Sequence, residues 1–187
     1  MSGCPDGSDL RRLTFSEAVD WTPQWCPDGG QIAYVSAETE RFEIWTVDLK
    51  TLASRNLTPE SGSNFVPRWS PDGRRILYQA WQGDPVEGNY DLTTMKPDGS
   101  DKRYLIPSPV DEMSSRWSPD GTRILLWSWR IGNPDLFLVN ADGSGMKRLT
   151  SNLSWDIFPC WSPDGKRVAF DSDRMGSFDI WVLELAP

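Results

Sequence analysis

The chain has 187 residues, of which 38% are hydrophobic and 25% charged, and it contains 11 Trp, 15 Gly and 15 Pro. This length suits one domain, and so many turn residues and large flat side chains favour short packed strands over helices. The net charge is −8 and the 19 Lys and Arg are scattered along the chain, which excludes a nucleic-acid partner.

Histidine is absent from the chain. Its absence excludes Ser-His-Asp and Cys-His nucleophilic sites and His-ligated zinc or iron sites. No run approaches the roughly 20 apolar residues that cross a bilayer, so no membrane insertion is expected. The three cysteines (Cys4, Cys26 and Cys160) are too few for a disulfide framework and suit a reducing compartment. The sequence as it stands therefore predicts a cytoplasmic protein, and a periplasmic one if a leader has been removed.

The first predicted element is a strand in residues 5–14, which opens with Pro-Asp-Gly-Ser and ends with Arg12-Leu13-Thr14. Residues 97–106 follow the same pattern. The N-terminal strand therefore resembles the last strand of a repeat that recurs along the chain.

The repeat is marked by a Trp-Ser-Pro-Asp-Gly motif, with Cys26 replacing the serine in the first copy. Its tryptophans are spaced 44, 48 and 44 residues apart, close to the roughly 40–45 residues of a propeller blade. Pro-Asp-Gly between two apolar runs indicates a tight turn. The motif residues that we expect to be structural are Trp25, Trp69, Trp117 and Trp161, with Asp28, Asp72, Asp120 and Asp164.

A third apolar run in each repeat begins at an acidic residue, which we expect to anchor a neighbouring turn. These residues are Glu43, Asp91, Asp135 and Asp179. Each lies 18 residues after the motif tryptophan except in the second repeat, where the distance is 22. The sequence therefore predicts a four-residue insertion in the loop at 79–89.

The turn motif, the acidic third strand and the ending Ala141-Asp142-Gly143-Ser144 through Arg148-Leu149-Thr150 resemble the WD-like repeat of TolB-type β-propellers. The resemblance implies an all-β propeller of four-stranded antiparallel blades, with four blades in one domain spanning residues 1–187. The repeats run over about 15–58, 59–106, 107–150, and 151–187 completed by 5–14. It also implies a protein-binding role, although relatives include pectin-fragment lyases, whose metal-binding histidines are missing here, and peptidases that carry a further hydrolase domain.

Two ways of completing the last blade remain open. The N-terminal strand either closes a four-bladed ring within one chain, or two chains exchange these strands around an eight-bladed ring. Aligned sheets pack at about 30°, so blades that must turn by 90° are strained, and this favours the homodimer.

One polar residue begins the innermost strand of each repeat, five residues before the motif tryptophan: Asp20, Asn64, Glu112 and Asp156. Ring symmetry gathers them at the channel mouth, where three carboxylates and an amide suit Ca²⁺. The alternative is that each caps a backbone N–H group at the strand entrance. No other cofactor is expected.

Partner contacts are expected on the face that carries the variable loops, because exposed Trp and Arg are favoured anchors at interfaces. The expected contact residues are Phe15, Trp81, Asp84, Glu87, Trp129, Arg130 and Trp155. We therefore expect a binding or scaffolding module for a protein or peptide, and no enzyme. The alternatives are a carbohydrate- or Ca²⁺-binding propeller, or an assembly unit that acts mainly by self-association.

Overall fold

The computed structural model describes residues 10–60, 62–83 and 87–185, which form fifteen strands and no helix. In this part of the chain there is accordingly no helix that could span a membrane. The strands form four separate antiparallel sheets in sequence order, here called blades 1 to 4. The all-β class and the antiparallel sheets expected from the sequence are confirmed.

Three blades have four strands, and the fourth has three. Blade 1 contains β1 (Asp20–Trp25), β2 (Gln31–Ser36), β3 (Glu43–Asp48) and β4 (Ser54–Asn56). Blade 2 contains β5 (Asn64–Trp69), β6 (Ile76–Gln82), β7 (Asn89–Met95) and β8 (Arg103–Ile106). Blade 3 contains β9 (Glu112–Trp117), β10 (Arg123–Ser128), β11 (Asp135–Asn140) and β12 (Lys147–Arg148). Blade 4 contains β13 (Asp156–Trp161), β14 (Arg167–Ser172) and β15 (Asp179–Glu184).

The Trp-Ser-Pro-Asp-Gly motif forms the turn between the first two strands of each blade. In blade 3 the hydroxyl of Ser118 donates to Asp120 Oδ1 over 2.5 Å and accepts a bond from the backbone N–H of Arg123 over 2.9 Å. The Ser118 bond and the backbone N–H of Thr122 hold the pKa of Asp120 down at about 2. Gly121 has φ = 72°, which glycine adopts without strain.

Each first strand also contains a β-bulge that the sequence analysis did not predict. The pairing of first and second strands shifts register at the same point in every blade. There the residues Thr22, Val66, Ser114 and Phe158 have positive φ values. None of them is glycine, so packing of the blades must impose this conformation against its local cost.

The apolar core lies between neighbouring blades rather than inside one sheet. Ala33, Val35 and Ile44 of blade 1, for example, pack against Ile76 and Tyr78 of blade 2. Equivalent clusters join blade 2 to blade 3 and blade 3 to blade 4. Each blade therefore needs a neighbour on both faces to bury its apolar side chains.

Motif tryptophans connect the innermost strands of adjacent blades. The indole N–H of Trp117 donates to the carbonyl of Arg68 over 3.2 Å, and that of Trp161 donates to the carbonyl of Arg116 over 3.3 Å. Among the described strands none forms a blade before Trp25, which is 57% exposed, whereas Trp69 is 7% exposed. Blade 1 thus has an open face.

The prediction that the N-terminal strand completes blade 4 of its own chain is not confirmed by the structure. Residues 5–9 lie outside the described residues, while 10–14 form no strand and pair with none. Leu13 packs instead against Ile32, Tyr34 and Val47 of blade 1. Among the described strands, none of blade 4 contacts one of blade 1, so the four blades form an open arc. The homodimer stays a prediction.

The inserted loop is also shorter than predicted. Trp81 pairs with Tyr90 and Gln82 with Asn89, so most of the insertion lengthens the β6–β7 hairpin. The connection is reduced to residues 83–88, of which 84–86 lie outside the described residues.

Leu126 and Leu153 offer a matched test of the core. Leu126 is fully buried between blades 2 and 3, and Leu153 is 97% exposed. We expect Leu126→Ala to lower the free energy of unfolding by about 2–5 kcal/mol through lost burial and a cavity. Leu153→Ala should change it by less than about 0.5 kcal/mol. Urea titration followed by tryptophan fluorescence measures both, and equal effects would contradict the placement of the core.

Candidate functional site

The loops between second and third strands and the loops that enter each first strand lie on one side of the arc, here called the loop face. Its loops are hydrogen-bonded to one another. The side-chain amide of Asn133 donates to the carbonyls of Asn152 and Ser154 over 3.1 and 2.9 Å. The backbone N–H of Trp155 donates to Asp173 Oδ1 over 2.8 Å. Three loops of blades 3 and 4 therefore form one connected surface.

Aromatic side chains cover this surface between blades 3 and 4. We call Trp127, Trp129, Trp155 and Phe158 the Trp129 cluster. The rings of Trp129 and Trp155 meet edge to face with centroids 5.0 Å apart. Trp127 lies beneath them, with centroids 6.5 Å from Trp129 and 6.3 Å from Phe158. Trp129 is 36% exposed and Trp155 45%. The structure thus brings together two of the predicted contact residues.

Further exposed apolar side chains extend the Trp129 cluster along the same loops: Ile131, Leu153 and Met175. The sequence analysis did not single out these residues. A signal was available, because the repeat position of Leu153 is occupied by Glu17, Ser61 and Pro109 in the other repeats. Several exposed apolar side chains on connected loops are typical of an interaction site.

A second aromatic group joins blades 1 and 2, and it contains the predicted contact residue Trp81. Trp81 packs edge-on against Tyr90 with centroids 4.9 Å apart. Tyr90 in turn contacts Phe65, whose ring lies 5.1 Å from that of Phe42. Trp81 is only partly exposed, so its main observed role is packing.

The other predicted contact residues are dispersed. Phe15 lies at the open face of blade 1 and is exposed, with the Arg12 guanidinium 5.5 Å from its ring centroid. Glu87 is exposed on the short β6–β7 connection, and Asp84 lies outside the described residues. Arg130 reaches inward and forms an ion pair.

That ion pair belongs to a repeated arrangement at the start of the first strands. Arg130 Nη2 lies 2.7 Å from Glu112 Oε1, and Arg174 Nη2 lies 2.9 Å from Asp156 Oδ1. Each arginine follows its acid by 18 residues, within the same blade. The first strand and the end of the second strand are thus joined by a partly buried salt bridge.

Of the four positions predicted to form a calcium site, Glu112 and Asp156 are paired with arginines of their own blades. Asn64 donates to the carbonyl of Gly62 over 2.6 Å, and Asp20 lines a cavity at the open face of blade 1. Within the described ranges, no three acidic or cysteine side chains are grouped so as to hold a metal ion. The structure does not bring these residues together, and calcium binding stays a prediction.

The repeated acids that begin the third strands act as anchors in three blades. Glu43 accepts bonds from Thr39 and from Asn56, each over 2.6 Å. Asp135 accepts bonds from Arg148 over 2.5 Å and from Thr150 over 3.2 Å. Asp91 accepts one from Asn89 over 2.8 Å. Asp179, in the three-stranded blade 4, is exposed.

Glu112 has the most unusual electrostatic environment of this face. Its side chain is fully buried, and this burial raises its pKa to about 7 although Arg130 opposes the shift. A carboxyl group that binds its proton more tightly in the folded than in the unfolded chain makes stability fall as pH rises between the two pKa values. That interval is from about 4.5 to about 7.

We expect the melting temperature to fall as pH rises through this interval. Glu112→Gln should remove the part of this pH dependence that comes from the titration of Glu112, which is at most one proton. The absence of histidine leaves few other groups that titrate in the same interval. Differential scanning fluorimetry between pH 5 and pH 8 measures both chains. If the melting temperature of Glu112→Gln fell with pH as steeply as that of the unaltered chain, the pH dependence would not come from Glu112.

Solved structures with the same fold include TolB from Acinetobacter baumannii. It is 28% identical to this chain, with a TM-score of 0.77 over 96% of this chain and 44% of that one. The chain thus spans less than half of that protein.

Enzymes also share the fold, which corrects the prediction that the chain is not an enzyme. A puromycin hydrolase has a TM-score of 0.69 at 23% identity, and an oligogalacturonate lyase in complex with manganese has 0.60 at 16%. At this identity the likeness concerns the fold alone. Because the fold occurs in enzymes, it gives no ground for excluding catalysis.

Sequence relatives point to one family. A segment of 58 residues is 35% identical to the Tol-Pal system protein TolB of Roseobacter denitrificans, covering 31% of this chain and 13% of the relative. A segment of 51 residues is 37% identical to the TolB homolog of Chlorobium luteolum, covering 27% and 12%. The family model of the TolB β-propeller domain matches residues 4–144 and 108–186. With nearly the whole chain matched, this protein belongs to the TolB β-propeller domain family.

Proposed function

We propose that the chain binds a protein segment on the loop face, with the Trp129 cluster as its main contact. The observation that carries the proposal is the run of exposed apolar side chains on three connected loops of blades 3 and 4. Isolated exposed apolar residues need no explanation, but several of them on connected loops of one face do.

The geometry of the Trp129 cluster suits an anchor site. Trp129 and Trp155 pack edge to face and both remain partly exposed, and tryptophan is enriched among residues that dominate binding energy. The bonds of Asn133 and Trp155 hold the loops in place before binding. A surface ordered in advance loses less entropy when a partner docks.

Charge restricts the kind of partner. The chain carries a net charge of −8, and the two arginines nearest the Trp129 cluster are neutralised by Glu112 and Asp156. We therefore infer a partner segment with apolar anchor side chains and a basic or mixed charge.

The family supports a protein partner. The relative from Roseobacter denitrificans is named as a protein of the Tol-Pal system. By likeness to that relative, we propose that this chain also acts as a scaffold for other proteins.

Trp129→Ala and Trp155→Ala test the proposal. Peptides selected from a displayed library against the intact protein should bind at least about tenfold more weakly to either variant, since removing a hot-spot side chain costs about 2 kcal/mol or more. Tyr104→Ala is the matched control, because Tyr104 is an exposed aromatic residue on the outer strand β8. Isothermal titration calorimetry measures the affinities.

Two outcomes would contradict the proposal. Selected peptides that bind both tryptophan variants as tightly as the original chain would place the contact elsewhere. Oligosaccharides that bind in place of peptides and lose affinity with the same substitutions would replace a protein partner with a sugar.

A further inference from the structure

We propose that Arg68 and Arg116 bind an oxyanion between the innermost strands of blades 2 and 3, with phosphate or a carboxylate as the group that they hold. Arg68 is the last but one residue of β5 and Arg116 that of β9, in the middle of the arc. They lie at the other end of these strands from the loop face, where Asn64 and Glu112 begin them. The site is therefore separate from the one proposed above, and the Trp129 cluster takes no part in it.

The repeat brings four equivalent positions side by side at this end of the first strands. Each lies one residue before the motif tryptophan: Gln24, Arg68, Arg116 and Cys160. The first strands of adjacent blades contact one another, so these positions are neighbours from blade to blade. The bulge that the four strands share lies two residues earlier and gives each side chain the same direction from its strand. The two middle blades place arginine at this position.

Arg68 is held in place but keeps unused donors. Its Nη1 donates to the side-chain oxygen of Gln24 over 2.9 Å, and its carbonyl accepts a bond from the indole N–H of Trp117 over 3.2 Å. Its Nε is buried and has no hydrogen-bond partner among the residues that the structure describes. A buried N–H group without a partner costs free energy, and a ligand oxygen that accepts its bond would remove this cost.

The two arginines also lack a counter-charge. Burial and the nearby positive charge of Arg116 lower the pKa of Arg68 to about 10. Within the described part of the chain, neither guanidinium group forms an ion pair. Glu112, the acid on the same strand as Arg116, is bound to Arg130 instead. An anion between the two guanidinium groups would therefore offset both their repulsion and their loss of hydration.

The chemistry of the guanidinium group selects the ligand. Its planar fork donates two parallel bonds to a carboxylate or phosphate group, a geometry that a halide ion does not match. Two guanidinium groups favour an oxyanion that carries two charges. The net charge of −8 repels anions from the chain as a whole, so anion binding should concentrate at this positive site.

Isothermal titration calorimetry with inorganic phosphate, and separately with malonate, tests the proposal. Both are doubly charged oxyanions at mildly alkaline pH, and the tighter binder of the two distinguishes a phosphate site from a carboxylate site. We expect Arg68→Gln and Arg116→Gln each to weaken binding at least about tenfold, because each removes charge-assisted hydrogen bonds. Sodium chloride at the same ionic strength should not stabilise the chain to the same extent.

The matched control is Arg74→Gln, which removes one positive charge from the turn that follows β5. Arg74 is exposed, and its Nε lies 4.0 Å from Asp72 Oδ2. This variant should bind phosphate as tightly as the unaltered chain. The melting temperature gives a second readout. Phosphate should raise it in the unaltered chain and in Arg74→Gln, but not in Arg116→Gln, which keeps Arg68 and its bond to Gln24.

The proposal is overturned if neither phosphate nor malonate binds the unaltered chain. Binding that both Arg68→Gln and Arg116→Gln leave unchanged would place the anion elsewhere. A rise in melting temperature that sodium chloride reproduces at equal ionic strength would show general screening of charge in place of a site.

Discussion

Packing of one blade on the next is the interaction on which the rest of this structure depends. The three largest clusters of buried apolar residues lie between neighbouring blades, as where Ile44 meets Ile76 and Tyr78. A single four-stranded sheet of this size has no core of its own, so the blades stabilise one another in series. The arrangement accounts both for the regularity of the blades in the middle of the arc and for the exposed apolar side chains at its ends, Trp25 and Ile180.

The same packing produces the loop face. Since adjacent blades meet side by side, the loops of blades 3 and 4 come close enough for Asn133 to bond Asn152 and for Trp129 to pack edge to face with Trp155. Two salt bridges, Arg130–Glu112 and Arg174–Asp156, join the ends of the strands beneath. Binding groups are thus held by a rigid scaffold, as is common for sites built from loops.

The strands were predictable from the sequence because the repeat keeps its spacing. The acid that starts the third strand in blades 1, 3 and 4 lies where the spacing places it, and Pro-Asp-Gly forms the predicted turn. The bulge was not predictable, because neither Val66 nor Phe158 favours a positive φ and only packing imposes it. The extension of β6 to Gln82 escaped prediction because an insertion lengthens a hairpin as readily as a loop.

The candidate site was predictable only in part. Exposed tryptophans were expected on the loop face, and Trp129 and Trp155 lie there, but Trp81 is used for packing against Tyr90. Symmetry suggested that Glu112 and Asp156 converge, whereas each is held by an arginine of its own blade. Residues 10–14 carry the sequence pattern of a fourth strand, whereas in the structure they form no strand and Leu13 packs on blade 1.

Amide hydrogen exchange of the Leu126→Ala variant tests most directly the claim that neighbouring blades stabilise one another. Leu126 of blade 3 packs in the cluster that joins blade 3 to blade 2. The account predicts that this substitution speeds exchange in β6 and β7 of blade 2 as well as in β10 and β11 of blade 3. Faster exchange in blade 3 alone, with β6 and β7 unchanged, would contradict the account.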